Sequence, residues 1–567
     1  MKSVSSRSGR IWLAGVAILV LLGGAIMYLQ LSGTRPGSVV ELLARGGETL
    51  LRDPMRTPGS AARVLVFALD GVGDEEFRHA ITSGGAPGIA ALLGPAGEDP
   101  DLFGNAYAVP GALSILPSTT LAAWSSLFTG EPPARTGVPG NEWFVREEMK
   151  FYAPAPVSVT ENAHALEVYT GDLIGQLLQV STIYERANVR SYVSLSQLHR
   201  GADLLSTPDL SAIGALATAA AEGLAGRDEV SKDLYAELDQ SSVRRLVKSL
   251  EEHGVPDLQV VYFPGVDIYT HAAEQPIPDQ QQYIREVIDP SVQEVLREYR
   301  EQGALRETYV LFVSDHGHTP VLNDERHALG TTGRDDPPAL IEQLGFRMRP
   351  FVLDPPEDQQ DYQAAVAYQG AMAYIYLADR STCPPPGSRC SWILPPRLQE
   401  DVLPVVRGFD AANRTGAGIP ELQGTLDLIF AREPRPTSQD ALPFQIWNGE
   451  RLLPIGEYLK ANPRPDLLDL ESRMEGLAVG PYGHRSGDVL LLARSGIERP
   501  LEDRFYFSDR YRSWHGSPAA QDSRIPLVVA RAGRTGHELR DRLVRAVGAR
   551  PSQLDVAQLI LSLLTEG

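Results

Sequence analysis

The sequence predicts an α/β protein with a mostly parallel central sheet that is flanked by helices on both faces. Short runs of apolar and β-branched residues recur along the chain, as expected of strands buried on both faces. Segments with helical character, such as Val292 to Gln302 and Glu538 to Val547, lie between these runs. Strands that alternate with helices favour parallel pairing. The strand-like runs are 63–70, 189–195, 258–267, 308–316, 487–493 and 525–530.

Length and charge narrow the classes of protein. A chain of 567 residues is long enough for one large domain with insertions, or for two or three domains. The formal net charge is −20. Nucleic-acid polymers bind to basic surfaces, so we expect no such partner. Small anions remain compatible with this charge, because a bound metal can invert the local field.

The N-terminus predicts a membrane anchor. Three basic residues in 1–10 precede the uncharged segment 11–31, which is long enough to span a bilayer as a helix. The basic flank places residues 1–10 in the cytoplasm and the remainder outside, most simply at the periplasmic face of a bacterial inner membrane. A cleaved signal peptide would have a shorter apolar core and a clear cleavage site. We therefore expect an uncleaved signal anchor at 11–31, followed by a Pro- and Gly-containing linker at 32–60.

The remainder divides by composition into a core and an insertion. Residues 61–330 and 481–567 carry the strand-like runs and form the two parts of the predicted catalytic core. Residues 331–480 are rich in proline and interrupt this pattern, which indicates an insertion that could cap the site. The only cysteines, Cys383 and Cys390, lie close together within it. In an exported protein this spacing favours a disulfide, and a lone pair lacks the second half of a zinc site.

Three aspartates follow strand-like runs. Asp70, Asp267 and Asp315 each lie at or just after the end of a run, and ligand sites of parallel sheets gather at that edge. A single aspartate there is usually a helix cap or a turn residue. Three carboxylates at one edge would repel each other unless a cation is present. The pattern therefore predicts a metal site.

Histidines strengthen this prediction. His271 follows Asp267 by four residues, so one helical turn can direct both to one ion. His316 directly follows Asp315, and His515 lies in a Gly-Ser loop before the last strand-like run. Imidazole and carboxylate donors suit Zn²⁺ or a similar transition metal. Other histidines with open roles are His318, which could orient a metal ligand, His327 and His484.

The order of five motifs resembles that of a known enzyme family. The motifs are FALDGV (67–72), PSTTLAAWSSLFTGEPPARTGVPGN (117–141), VDIYTH (266–271), VSDHGH (313–318) and WHGSP (514–518). Together they resemble the alkaline phosphatase superfamily and, within it, the nucleotide pyrophosphatase/phosphodiesterase (type I phosphodiesterase) family. The resemblance covers roughly 61–330 and 481–567 and implies an alkaline phosphatase-like fold.

The resemblance also implies the site. The family nucleophile is a threonine three residues after a proline, which is Thr120 here, and an asparagine 21 residues later, Asn141, would hold a phosphate oxygen. Two zinc ions are implied, although manganese or another divalent ion would serve. One ion would be bound by Asp267, His271 and His515. The other would be bound by Asp70, Asp315, His316 and Thr120.

One segment departs from the family pattern. Members often have Thr-Phe-Pro-Asn-His from the nucleophile onward, whereas this chain has Thr120 followed by Leu-Ala-Ala-Trp. The family likeness implies that these neighbours line the site, so we expect 121–124 to influence substrate choice. Ser118 or Thr119 is expected to cap the short helix that follows.

The implied function is hydrolysis of a phosphodiester or pyrophosphate bond through a phospho-threonine intermediate, on a small nucleotide-like substrate. A phospho-group transferase and a phosphonate hydrolase of the same superfamily are alternatives, although the transferases usually have several membrane spans. A sulfatase is unsupported because its C-x-P-x-R signature is absent. The remaining alternative, a non-catalytic ectodomain that binds a partner through its insertion, conflicts with the intact set of site residues.

Overall fold

A computed structural model describes residues 49–565 except 61, 160, 162, 171, 207–230, 331–336 and 509. The tail 1–10, the predicted anchor 11–31 and the first part of the linker lie outside the described residues. Within the described part of the chain, no helix has the length and apolar character needed to cross a membrane. The predicted anchor therefore stays a prediction.

The strands of the described residues form two large sheets and two small ones. They are β1 (Thr49–Leu51), β2 (Arg63–Leu69), β3 (Ala106–Ala108), β4 (Trp143–Val145), β5 (Lys150–Tyr152), β6 (Ser191–Ser194), β7 (Leu204–Ser206), β8 (Leu258–Phe263), β9 (Thr308–Ser314), β10 (Thr319–Pro320), β11 (Ala364–Gln369), β12 (Met372–Leu377), β13 (Leu426–Ala431), β14 (Gln445–Trp447), β15 (Leu452–Pro454), β16 (Val489–Ala493), β17 (Ser513–Trp514) and β18 (Leu527–Ala530).

The central sheet confirms the predicted α/β class. Its strand order is β1-β7-β6-β8-β2-β9-β18-β3, and the five strands from β7 to β9 are parallel. The run at 525–530 forms β18, which pairs antiparallel with β9. The preceding loop already lies at the carboxyl edge of β9, so the chain enters β18 from that edge and must run in the opposite direction.

Helices cover both faces of this sheet. Val64 and Val66 of β2 pack in one hydrophobic cluster, and Leu65 and Phe67 pack in another on the opposite face, as the two-residue period of a strand requires. The α-helices are Asp74–Thr82, Pro87–Leu93, Thr120–Leu127, Pro133–Thr136, Ala163–Thr170, Leu173–Leu177, Ile183–Ala187, Lys232–His253, Gly265–Ala272, Pro276–Tyr283, Asp289–Glu301, Pro337–Gln343, Leu403–Thr415, Ile455–Ala461, Leu470–Ala478, Ala520–Ser523, Gly536–Val547 and Val556–Leu564. The helices expected at 292–302 and 538–547 are therefore confirmed.

A second sheet is antiparallel and is built mainly from the predicted insertion. Its order is β11-β12-β16-β13-β14-β15. The run 487–493 forms β16 here and does not join the parallel sheet, against the prediction. All five residues of β16 are buried, and such a run fits the middle of either sheet. The predicted disulfide between Cys383 and Cys390 is present beside this sheet.

The last part of the predicted linker is attached to the core. β1 pairs with β7, and the Arg56 guanidinium lies 2.9 Å from the Asp203 carboxylate. The Ser60 hydroxyl donates to Asp257 at 2.8 Å. Residues 49–60 are therefore held against the parallel sheet, so this part of the predicted linker is not a free tether.

Candidate metal centre and nucleophile

Three neighbouring parallel strands bring the three aspartates to one edge. Asp70 directly follows β2 and Asp315 directly follows β9, while Asp267 lies in the first turn of the helix Gly265–Ala272 after β8. Because β8, β2 and β9 are adjacent and parallel, their carboxyl ends meet. This is the edge at which open α/β sheets bind ligands.

One group consists of Asp70, Asp315 and His316. Their ligand atoms all lie within 4.8 Å of one another. His316 Nε2 is 3.1 Å from Asp315 Oδ2 and 3.6 Å from Asp70 Oδ1. All three residues are buried. The structure thus brings together the residues that the family resemblance implies for one ion.

Each carboxylate of this group keeps one oxygen for an ion. Asp70 Oδ2 accepts from Trp124 Nε1 at 3.4 Å and from the Tyr262 hydroxyl, and Asp315 Oδ1 accepts from the Gly71 N–H at 3.0 Å. Asp70 Oδ1 and Asp315 Oδ2 are buried and have no hydrogen-bond partner among the described residues. Buried polar atoms are otherwise almost always paired, so these two oxygens fit a divalent cation.

The electrostatics of the group point the same way. Burial, and then the nearby carboxylates of Asp315 and Asp267, raise the pKa of Asp70 well above its ordinary value. Burial likewise raises the pKa of Asp315 to about 7 and lowers the pKa of His316 to about 3. Without a cation, two buried carboxylates compete for a proton beside a neutral imidazole. A dication favours the charged carboxylates and accepts the neutral imidazole as a ligand.

The other predicted ligands gather around Asp267. This carboxylate forms one group with His271 and His318, and another with His316 and His515. Asp267 Oδ2 lies 3.6 Å from His271 Nε2. The resemblance assigns Asp267, His271 and His515 to one ion. The three residues lie around one place, but His271 and His515 belong to different groups that share Asp267. The His316 and His515 rings stack with centroids 3.6 Å apart, so the two predicted ion sites adjoin.

Backbone carbonyls orient the three imidazoles. His271 Nδ1 lies 2.8 Å from Ser513 O, His316 Nδ1 lies 3.1 Å from Gly317 O, and His515 Nδ1 lies 2.9 Å from Ser118 O. A carbonyl only accepts, so each Nδ1 carries the proton and each Nε2 keeps a lone pair. This arrangement is typical of histidines that bind metals. Burial also lowers the pKa of His271 to about 4 and that of His515 well below its ordinary value, so both are neutral at pH 7.

His318 is in direct contact with one of the predicted metal ligands. Its Nε2 is 2.8 Å from Asp267 Oδ1, and its Nδ1 is 3.0 Å from the Ser513 hydroxyl. These contacts fit the predicted role of orienting a ligand. His327 and His484 pair elsewhere, with Asp324 and Glu147, each at 2.7 Å.

Thr120 is the hydroxyl that faces the centre. It is the first residue of the helix Thr120–Leu127, and its Oγ1 lies 3.3 Å from His316 Nε2. Thr120 is partly exposed, whereas Ser118, Thr119, Ser125 and Ser126 are buried. Among these hydroxyls, Thr120 is thus the one that combines solvent access with contact to the candidate metal ligands.

The expected hydroxyl cap of this helix is wrong. Thr119 occupies the N-cap position, but its side chain makes no capping hydrogen bond to any described residue. The Ser118 hydroxyl donates instead to Ser517 O at 2.9 Å. Asn141 Oδ1 accepts the Leu121 N–H at 3.1 Å, so an amide from a distant loop provides the cap. Asn141 is thereby fixed beside Thr120.

The segment 121–124, which is expected to line the site and to influence substrate choice, lies in the protein interior. Leu121, Ala122, Ala123 and Trp124 are all buried in hydrophobic clusters. The indole N–H of Trp124 reaches Asp70 within the protein interior. The apolar segment therefore supports the candidate metal ligands, because its helix faces the core along most of its length.

Two contributing residues carry no signal in the sequence. Tyr262 donates to Asp70, but it lies in a strand-like run and is one of 20 tyrosines in the chain. Gln369 accepts from the Asn141 N–H at 2.7 Å and comes from the second sheet, 228 residues further along the chain. Only the fold brings these residues to the centre.

A comparison with known families assigns the class of protein, a hydrolase of phosphoester or pyrophosphate bonds. Residues 64–336 match the family model described as Type I phosphodiesterase / nucleotide pyrophosphatase, and this segment of the chain belongs to that family. The predicted family and hydrolase class are confirmed. The matched segment holds Thr120, Asn141 and every predicted metal ligand except His515.

Several solved structures are similar at low sequence identity. Murine ectonucleotide pyrophosphatase/phosphodiesterase 5, an inactive variant in complex with AMP, has a TM-score of 0.47 and 11% identity, over 89% of this chain and 96% of that one. Phosphonoacetate hydrolase from Sinorhizobium meliloti, in complex with phosphonoformate, has a TM-score of 0.46 and 16% identity, over 92% of this chain and 100% of that one. No curated protein sequence matches the chain significantly.

Proposed function

We propose that the protein is a two-metal phosphodiesterase or nucleotide pyrophosphatase that forms a phospho-threonine intermediate on Thr120. The observation that carries the proposal is the pair of buried carboxylate oxygens of Asp70 and Asp315 that have no hydrogen-bond partner among the described residues. Both lie next to His316, whose Nε2 is 3.3 Å from the Thr120 hydroxyl. The proposed ligands of the first ion are Asp70, Asp315, His316 and Thr120. The proposed ligands of the second ion are Asp267, His271 and His515.

The donor set suits zinc or manganese. It combines imidazole nitrogens with carboxylate oxygens, as zinc sites of hydrolases do. When bound, such ions lower the pKa of a coordinated hydroxyl and offset charge on phosphoryl oxygens.

The residues of the chain perform the remaining tasks. Thr120 Oγ1 attacks phosphorus and gives up its proton to solvent, the bond from phosphorus to the leaving oxygen breaks, and the first product departs with a proton from solvent on that oxygen. The phosphoryl group, which keeps its other substituent, is then carried on Thr120. A water molecule attacks phosphorus, the bond to Thr120 Oγ1 breaks, Oγ1 regains a proton and the phosphomonoester is released. Asn141 Oδ1 is used by Leu121, so its Nδ2 group stays available to donate to a phosphoryl oxygen. The first N–H groups of the helix Thr120–Leu127 also favour an anion.

The experiment is metal removal and restoration on the full chain in detergent. The chain is dialysed against a chelator and assayed with bis-p-nitrophenyl phosphate before and after zinc or manganese is restored. We expect hydrolysis to disappear and to return with the ion. Activity that survives chelation would contradict the two-metal proposal, and hydrolysis of no substrate in any state would favour a non-catalytic ectodomain.

A substrate panel separates the enzymatic alternatives. Diester, pyrophosphate, monoester and phosphonate substrates are compared at equal concentration, with and without an alcohol as acceptor. The proposal predicts that the diester and pyrophosphate rates are highest and that water is the acceptor. A dominant phosphonate rate, or transfer to the alcohol, would favour the phosphonate hydrolase or the transferase.

We also propose that the catalytic part lies outside the cytoplasm and is anchored by residues 11–31. The disulfide between Cys383 and Cys390 supports this location, because such bonds persist in oxidising compartments. Protease added to intact spheroplasts should remove the catalytic part and leave cytoplasmic proteins whole. Protection of the catalytic part would contradict the location.

A further inference from the structure

The tip of a hairpin from the second sheet reaches the candidate metal centre. β11 ends at Gln369 and β12 begins at Met372, and the turn between them lies against two loops of the centre. The Ala371 N–H donates to His515 O at 2.9 Å. The Tyr374 hydroxyl donates to Pro139 O at 2.8 Å, just before the loop that carries Asn141. The second sheet therefore touches a candidate metal ligand and the candidate phosphate-binding loop.

Gln369 makes the contact that bears on Asn141. Its Oε1 accepts the Asn141 N–H at 2.7 Å, and its Nε2 donates to Glu142 O. Gln369 is fully buried, so neither bond is exchanged for water. A side chain on Gly140 would place its Cβ 2.0 Å from Gln369 Oε1, so this glycine is what permits the close approach.

A second buried group reinforces the same junction. The Glu142 carboxylate is buried and accepts from the Tyr368 N–H at 2.7 Å, and from the Ser158 N–H at 2.9 Å. The hairpin and the loop 140–142 thus exchange bonds in both directions. Asn141 lies between them, held at its N–H by the hairpin and at its Oδ1 by Leu121.

We propose that Gln369 is a positioning residue that fixes Asn141, so that the second sheet forms part of the phosphoryl-binding site. The inference rests on the proposed function of Asn141. Gln369 lies outside the segment 64–336 that the family model matches. Asn141 is thus held at its N–H by Gln369 and at its Oδ1 by the N–H of Leu121, the residue that follows Thr120.

The test uses Gln369→Met in the full chain, because methionine has a similar length and cannot accept the Asn141 N–H. Tyr374→Phe is the matched control, since it removes a bond between the same hairpin and the adjacent Pro139. A misplacement of about 1 Å in a catalytic site can cost about 100-fold in rate. We expect Gln369→Met to lower kcat/KM on bis-p-nitrophenyl phosphate by about 10- to 100-fold, mainly through kcat, and Tyr374→Phe to lower it less than about 3-fold.

A double-mutant cycle shows whether Gln369 acts through Asn141. In the Asn141→Ala background, the side chain that Gln369 is proposed to position is absent. Gln369→Met should then lower kcat/KM by less than about 3-fold further, whereas independent effects would multiply. Multiplicative losses, or equal losses in the two hairpin variants, would overturn the inference.

Amide hydrogen exchange gives a readout that does not depend on activity. In the metal-free chain, the Asn141 N–H should exchange at least about 10-fold faster in Gln369→Met than in the unmodified protein or in Tyr374→Phe. Unchanged exchange would overturn the inference even if the enzyme is active. A chain without hydrolytic activity would contradict the proposed function, while the exchange experiment would still decide the contact itself.

Discussion

Gly71 is the position at which a single methyl group should damage the centre most selectively. It follows Asp70 and has a φ of +67°. A Cβ at this residue would lie 2.6 Å from Asp267 Oδ1 and 2.6 Å from His318 Nε2, where ordinary contact begins at 3.4 Å. In Gly71→Ala these two atoms must therefore withdraw by about 0.8 Å, the difference between the two distances.

The expected size of the effect has two parts. An alanine in this left-handed conformation costs about 1–2 kcal/mol of folding stability. The displacement of the Asp267 carboxylate, by close to 1 Å, should lower kcat/KM by about 100-fold, which corresponds to about 2.7 kcal/mol of activation free energy. Metal affinity should fall as well, because a proposed ligand and the histidine bonded to it both move.

Gly111→Ala separates these two parts. Gly111 has a φ of +65°, and a Cβ there would find no described atom within 4 Å. This variant should lose the same folding stability and keep its activity. The measurements are urea unfolding, zinc affinity by competition with a chelator, and diester hydrolysis. Equal activity and equal zinc affinity in the two variants would refute the assignment of Asp267 and His318 to the centre.

Three other predictions follow from the structure. Trp124→Phe removes a hydrogen bond to Asp70 and should weaken zinc binding about 10-fold in the same chelator competition. Unchanged zinc affinity would contradict the role of Trp124 in orienting Asp70. Burial raises the pKa of Asp239 from 3.8 to about 7, so the protonated side chain contributes its full stability below about pH 4, and this contribution is lost as the pH rises to about 7. In urea unfolding, the free energy of unfolding of Asp239→Asn should therefore rise by about 3–4 kcal/mol relative to that of the unmodified protein between these two pH values. A difference between the two proteins that does not depend on pH would contradict this prediction. Replacing both Cys383 and Cys390 by alanine should lower unfolding stability by about 2 kcal/mol and leave diester hydrolysis unchanged, whereas lost hydrolysis would tie the disulfide to the centre.

The sequence predicts the parallel strands and the residues at their ends well. A buried strand requires an apolar run, and a parallel sheet requires its carboxyl ends to meet, so Asp70 and Asp315 could be placed together before the fold was known. His271 could be joined to Asp267 because both lie on one turn of a helix. These are local patterns combined with one rule of topology.

Other features depend on contacts that no local pattern encodes. The fully buried run of β16 fits either sheet, and only its pairing with β12 and β13 determines which sheet it joins. The helix at Thr120 has three hydroxyls at its start, yet the cap comes from Asn141, because the loop that carries it is held by Gln369. Trp124 could not be assigned to the interior from its neighbours, since a tryptophan suits a substrate site equally well.

The most direct test of the central claim is the hydrolysis rate of Thr120→Ala compared with Thr119→Ala. The two hydroxyls are adjacent in sequence, but only Thr120 Oγ1 lies 3.3 Å from His316 Nε2, whereas Thr119 Oγ1 is buried without a hydrogen-bond partner in the described structure. The account predicts that Thr120→Ala lowers kcat/KM on bis-p-nitrophenyl phosphate by at least about 1,000-fold, as removal of a nucleophile should, and that Thr119→Ala stays within about 3-fold of the unmodified protein. Full activity in Thr120→Ala would contradict it.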